Sequence, residues 1–356
     1  MKVAILSLSC RIGDKTGDMV QADKTANALR DLGLEVLRVF FNPGTGEVFD
    51  GNGKLIGLWE NVLADRDIVH AIPPVPWRFV ASLPRLRARF VCSPVFWRSY
   101  AYTRVLQIVE RRLTFQMIKD YVRTFLAWLG MPTYTSYVGY DLLLPNSEDE
   151  IRTLKRYCRI KKDVKVVAVP NAIDPLPGFV DELERSDLVP NEDYILVPGC
   201  FAPRKNQLRF IQAMRDMPYP VVFIGEGLLL ESCRNVANAN MIFLGHISHG
   251  TKEFYSILKY ARIVCLPSNC ETPGIAALEA AALGARPVVP YEGGTCQYYG
   301  WDAVYLDPLS IKGMQTAVRN AWERGRLKRS ESSRYCEMGW RHCGVMTINA
   351  YGTLHL

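Results

Sequence analysis

Two carboxylates stand eight residues apart in Leu266–Val289 (LPSNCETPGIAALEAAALGARPVV). Glu271 lies in a polar loop after an apolar run ending at Pro267, and Glu279 lies inside a helix opened by Pro273 and Gly274. Proline suits a first helical position, and glycine leaves backbone amides accessible. A helix start at the lip of a parallel sheet attracts phosphate. Carboxylates beside that phosphate make electrostatic sense only if they reach past it to hydroxyls, a sugar ring at one end and a ribose at the other. The plainer alternative is an acid favoured by the helix dipole, with Glu279 turned to solvent. Upstream, a strand end at Pro198-Gly199 leads into Cys200-Phe201-Ala202-Pro203-Arg204-Lys205. Arg204 grips a diphosphate as a fork and Lys205 as a point charge, or both are solvated loop cations. Gly225-Glu226-Gly227 is a further close-approach turn.

The elements that must position these groups alternate along the chain. Lys2–Ser7 reads as a buried strand, 19–32 as an amphipathic helix and Glu35–Phe41 as a second strand, the opening of a doubly wound sheet. Further strands are expected at 68–72, 90–93, 142–145 and 164–169, with helices within 103–129 and over 148–158. The proline- and acid-rich stretch 175–193 reads as a hinge, after which the alternation restarts. Strands follow at 194–198, 220–225, 241–244, 263–267 and 286–290; helices follow at 207–214, 228–236, 254–260, 274–283 and 311–324. Two α/β units predict two Rossmann-like halves with the ligand at the carboxyl ends of the strands.

The chain has 356 residues, 49% hydrophobic and 22% charged. These values exclude disorder, a collagen-like fibre and a disulfide-stapled miniprotein. Ten scattered cysteines with no CxxC pair, and no apolar leader after Met1, predict a cytosolic protein with reduced thiols. The net charge of +7 is concentrated. Between Pro76 and Trp128, ten basic residues face two acidic ones, interleaved with aromatics such as Trp77, Phe96, Trp97, Tyr100 and Trp128. Such a stretch suits an anionic membrane face, with nucleic acid the less favoured partner. It also fits a helical pair with aromatics inward and arginines in water. The Asp65-Arg66-Asp67 triplet precedes a strand rather than following one and reads as structural; His246 and His249 read as loop histidines with no metal-ligand spacing.

The order Pro170-Asn171-x-x-Asp174, Gly199 before Arg204-Lys205, Gly225-x-Gly227, Phe243-Leu244-Gly245, and Glu271 with seven residues before Glu279 resembles the family 4 retaining glycosyltransferases of GT-B fold. Gly293-Gly294 and Leu306-Asp307-Pro308 continue the likeness, which is dense over 165–325, thinner over 1–75 and 140–165, and nearly absent over 76–135. It implies an α/β GT-B chain with two Rossmann-like domains facing across a cleft. These are an acceptor domain over 1–178, a donor domain over 179–335, and a helix over 336–356 crossing back to the first. Trp340 and Tyr351 would be the packing anchors of that helix.

The implied activity is metal-independent transfer from a UDP- or GDP-linked sugar to a glycan or lipid-linked acceptor in surface polysaccharide biosynthesis. The implied location is cytoplasmic, peripheral at a membrane through residues 76–128. By the resemblance, Arg204 and Lys205 bind the diphosphate and offset leaving-group charge, Glu271 meets the donor sugar's hydroxyls, and the amides of Gly274 and Ile275 meet the sugar or phosphate. Glu279 would hold the ribose, His246 and Ile247 would lie near the base, and Gly199 and Gly225 would allow close approach. Gly13 and Gly17 would let the first domain close on the phosphates. This chain departs from the family at Ile72, where many relatives carry a histidine, at Gln297 in place of a glutamate, and at Pro273 in place of an aromatic. His70 then reads as a satisfied strand-end residue. The alternatives are a non-catalytic nucleotide-sugar-binding module, or a GT-B epimerase or phosphorylase. An oxidoreductase is disfavoured because no Gly-x-Gly-x-x-Gly follows a first strand.

Overall fold

The computed structural model describes residues 1–13, 17–75, 87–96, 122, 126 and 136–354. The helices expected within 103–129, and most of the basic and aromatic stretch, lie outside them. In chain order the first elements are β1 (Lys2–Leu8), α1 (Gly17–Asp31), β2 (Glu35–Phe41), β3 (Glu47–Phe49), β4 (Leu55–Leu58), α2 (Trp59–Val62) and β5 (Ile68–Ala71). They are followed by β6 (Arg89–Cys92), β7 (Leu142–Leu143), α3 (Glu148–Tyr157), β8 (Lys165–Val166), β9 (Ile195–Pro198), α4 (Gln207–Met214), β10 (Val221–Ile224) and α5 (Leu230–Arg234). Next come β11 (Met241–Phe243), α6 (Lys252–Tyr260), β12 (Ile263–Cys265), α7 (Ile275–Ala282), β13 (Arg286–Pro290) and α8 (Thr295–Tyr299). The last are β14 (Val304–Leu306), α9 (Ile311–Arg324), α10 (Arg329–Cys336) and α11 (Trp340–Tyr351).

Two compact units result, one from the described residues up to Ala172 joined by those from Gly339 onward, the other Ile173–Met338. The first holds an eight-stranded sheet in the order β4-β3-β2-β1-β5-β6-β7-β8. Its pairs are parallel from β2 through β8. The β2-β3-β4 edge is antiparallel and was not foreseen, although Asp50-Gly51-Asn52-Gly53 carries a hairpin turn signal. Asp65-Arg66-Asp67 is structural, as expected. The Lys2 amide donates to Asp67 Oδ2 at 2.7 Å, and Arg66 pairs with Glu35 at 2.9 Å.

The final helix belongs to this first unit. Gly344 of α11 lies against Ala28 and Leu32, and an added Cβ would stand 2.9 Å from Leu32 Cδ1. Trp340 and Tyr351 are buried, as expected of packing anchors. Buried His70 of β5 joins helix to sheet: its Nδ1 lies 2.7 Å from the Tyr351 hydroxyl and its Nε2 2.9 Å from Ser93 Oγ. It is a satisfied strand residue, and burial lowers its pKa from 6.5 to about 3.

The second unit is built on a six-stranded parallel sheet, order β11-β10-β9-β12-β13-β14. Apolar clusters cover both faces, one around Leu196, Val264 and Leu278, the other around Phe210, Phe223 and Val318. The expected hinge over 175–193 is corrected: it is a strap fixed to α6. Lys259 Nζ donates to the carbonyls of Val180, Asp181 and Leu183 at 2.9–3.0 Å, and Ser256 Oγ to that of Glu184 at 2.7 Å. Proline and acid content signalled exposure there, but a lysine whose three protons find three carbonyls overrides it.

Candidate active site

Strand order in the second sheet reverses between β9 and β12, and the chain leaves the carboxyl ends of these two strands toward opposite sides. A crevice opens at such a point. Gly199 follows β9, and the loop Leu266–Gly274 follows β12, so sheet topology brings together residues far apart in sequence. Asn206 fixes their relation: its Nδ2 donates to the Pro267 carbonyl at 3.0 Å and to the Pro308 carbonyl at 2.9 Å.

Lys205 and Glu271 meet as an ion pair, their side chains 12% and 6% exposed. Ser268 Oγ also donates to Glu271. Burial would raise the pKa of this carboxyl, yet Lys205, Ser268 and Arg204 together hold it below the ordinary value. It is therefore an ionised acceptor at neutral pH. Neighbouring Cys270 is the opposite case: burial, with Glu271 beside it, pushes its thiol up to about 12, so it is no thiolate nucleophile. Arg204 is exposed, and its carbonyl accepts the Asn269 amide at 3.1 Å.

Glycines let this loop close. Gly293 has φ +115°, and an added Cβ would lie 2.1 Å from the Glu271 carbonyl oxygen. Gly225, at φ +128°, would place a Cβ 2.2 Å from the carbonyl oxygen of Gly199. The Gly199 amide donates to Ile224, and the Gly225 amide to Gly245, so three strand ends are stitched side by side. Gly293→Ala should therefore displace Glu271, removing activity and costing about 1–3 kcal/mol in a denaturant melt. Unchanged turnover in that variant would contradict the placement.

Gly274 caps α7 without any side-chain hydrogen bond, so Ile275 stands at an uncapped helix start. Tyr299 from α8 holds the approach, donating to the Pro273 carbonyl at 3.0 Å. Glu279 is 2% exposed, which rules out a solvent-facing role. Its Oε1 is 2.6 Å from His249 Nε2, and its Oε2 is buried with no hydrogen-bond partner among the described residues. The reading of His249 as a plain loop histidine is thus corrected: it pairs with a carboxylate thirty residues away in sequence. His246 is exposed on the same loop, and Ile247 packs on the core. In the first unit, Gly13 has φ +84° after β1, and Gly17 opens α1. Sequence reading missed His249, Ser268 and Tyr299, for which no spacing rule exists. The Pro267-Ser268 strand end was the one available signal.

Among the described residues, no three His, Cys, Asp or Glu side chains gather as a metal-holding group, and no helix is long and apolar enough to cross a membrane. Residues 180–308 match the family model for glycosyl transferases group 1. This segment belongs to that family, and the chain is a glycosyltransferase. The matched segment runs from the strap on α6 to the end of the β14 loop and contains Arg204, Lys205, Glu271 and Glu279.

By structure the glycosyltransferase is similar to a sucrose-phosphate synthase from Thermosynechococcus elongatus, with a TM-score of 0.70 at 13% identity over 99% of this chain and 98% of that one. It is also similar to Anabaena HepE in complex with UDP, with a TM-score of 0.67 at 13% identity over 99% and 100%. WaaG, a glycosyltransferase involved in lipopolysaccharide biosynthesis, gives 0.61 at 14% identity over 99% and 100%. At these identities the likeness shows the fold, GT-B. No curated protein matches the chain in sequence.

Proposed function

We propose that this glycosyltransferase moves a sugar, with retention of configuration, from a UDP- or GDP-linked donor to a glycan or lipid-linked acceptor in surface polysaccharide assembly. The observation that carries the donor assignment is the arrangement at the β9/β12 reversal. Buried Glu271 is ionised and held by Lys205 and Ser268, and the buried Oε2 of Glu279 has no hydrogen-bond partner among the described residues. Both lie within the segment that matches the family. UDP as the donor nucleotide is supported by the HepE complex, and the acceptor class by the likeness to WaaG.

In this reading the acceptor's hydroxyl oxygen forms the new bond to the sugar's anomeric carbon while the bond from that carbon to the β-phosphate oxygen breaks. That phosphate oxygen takes the electron pair and then the proton the hydroxyl gives up. Arg204 and Lys205 offset the charge that grows there, which fixed cations do best when pre-positioned. Glu271 accepts from donor-sugar hydroxyls and orients the ring, the amides at Gly274 and Ile275 meet sugar or phosphate, and Glu279 accepts from the ribose. His246 and Ile247 border the base, and Gly13 and Gly17 adjoin the phosphates. The basic stretch 76–128 is proposed to meet the acceptor or an anionic membrane.

Arg204 is the cleaner test of the cradle, because Lys205 also supports Glu271. Arg204→Ala should weaken nucleoside diphosphate binding about tenfold, the worth of one charge-assisted contact. Lys205→Ala should weaken it at least as much. Calorimetric titration with UDP and GDP measures both; unchanged affinity in both variants would show the cradle to be misplaced.

A further inference from the structure

His249 has no part in the reading above, yet among the described residues it makes the one side-chain hydrogen bond to the Glu279 carboxylate. A carboxylate only accepts, so the imidazole Nε2 carries the proton and donates to Oε1 over 2.6 Å. The other oxygen, Oε2, is fully buried and has no hydrogen-bond partner among the described residues. Leaving such an acceptor unmet costs about 1–3 kcal/mol, a penalty removed when a donor arrives. The surroundings hold the pair in place. The imidazole ring centre lies 4.9 Å from that of Phe254 and 6.3 Å from that of Tyr255, both on α6. Burial, then the Glu279 and Asp174 carboxylates, pushes the Tyr255 hydroxyl up to about 12, so this neighbour stays neutral. His249 itself is half-exposed, at 51%.

We propose that His249 is a positioning residue for the nucleotide: by occupying Oε1 of Glu279 it fixes the carboxylate so that Oε2 alone is presented to the ribose hydroxyls. The inference rests on the reading of Glu279 as the ribose acceptor. Without His249 the carboxylate can rotate, and either oxygen can turn away from the ribose. The contribution of His249 to binding is therefore expressed only through the sugar hydroxyls. A purely structural role would weaken every nucleotide alike.

The experiment is a cycle of protein variant against ligand hydroxyl. Wild type, His249→Ala and His249→Gln are titrated with UDP and with 2′,3′-dideoxy-UDP, or with the GDP pair if GDP is the nucleotide that binds. Wild type should prefer the ribonucleotide by about tenfold, as expected for a hydrogen bond to a charged group. His249→Ala should lose most of that preference while binding the dideoxy ligand as wild type does. His249→Gln, whose amide can reach the same oxygen, should restore it. Equal weakening of both ligands, or an intact preference in His249→Ala, overturns the role of His249 and leaves the ribose reading standing. No preference in wild type removes the ribose reading itself, and the inference falls with it. If neither UDP nor GDP binds, the donor site is misassigned and both fall.

Discussion

Replacing Glu271 by glutamine is expected to lower kcat by about 10²–10³-fold, the scale on which a single pre-positioned electrostatic group acts, while nucleoside diphosphate affinity changes by less than about threefold. The asymmetry follows from position. Glu271 is proposed to face the transferred sugar, not the nucleotide, so its charge matters where the glycosidic bond rearranges. The substitution also leaves Lys205 opposite a neutral amide in a nearly dry site. Breaking a buried pair on one side costs about 3–5 kcal/mol, so the melting temperature should fall as well. Adding Lys205→Met should return much of that stability without returning turnover, which separates the structural from the chemical role. Steady-state kinetics, calorimetry and melting curves read the three quantities. Parallel loss of binding and turnover in Glu271→Gln would count against a sugar-facing carboxylate.

Acid should unfold the first unit through His70. The ring is buried and both nitrogens are engaged, so the folded state takes up a proton only near pH 3, whereas the unfolded chain does so near 6.5. Between these values the unfolded state binds more protons, so this stability is intact above pH 6.5 and is lost as pH falls toward 3. At about 1.4 kcal/mol for each unit, the span amounts to about 5 kcal/mol. Buried Glu150 of the same unit, its carboxyl raised to about 7, opposes this loss in the same window, so the loss is read as a difference. In urea melts from pH 7 to 4, His70→Gln, which cannot titrate, should gain stability relative to wild type as pH falls. An equal slope in both proteins would assign the acid sensitivity elsewhere. The structural cause is burial of the ring at the junction of β5 with the final helix, beside Tyr351 and Ser93.

The alternation of strand and helix was legible in the sequence because parallel strands read as short apolar runs. β2, α4, β13 and α9 have the bounds expected of them. Glu271 and Glu279 were legible for a related reason: both lie on one loop-helix segment, so their spacing is local. The partners of these acids were not. Lys205 and Glu271 are 66 residues apart, and His249 and Glu279 are 30 apart; sheet topology alone brings each pair together. The strap at 175–193 misled because composition reports solvent, not the carbonyls that Lys259 gathers. The β3-β4 edge escaped because its strands are only three and four residues long.

The donor cradle at the β9/β12 reversal is tested most directly by thermal shift with UDP, GDP and ADP and their common sugar conjugates, each with and without magnesium. A ligand that binds only the folded chain raises its melting temperature in proportion to the logarithm of its concentration over Kd. The account predicts a shift with UDP or GDP and its conjugate, the same with and without magnesium, and smaller in Arg204→Ala at matched concentration. A flat response to all the nucleotides, or a shift that Arg204→Ala leaves unchanged, would contradict it.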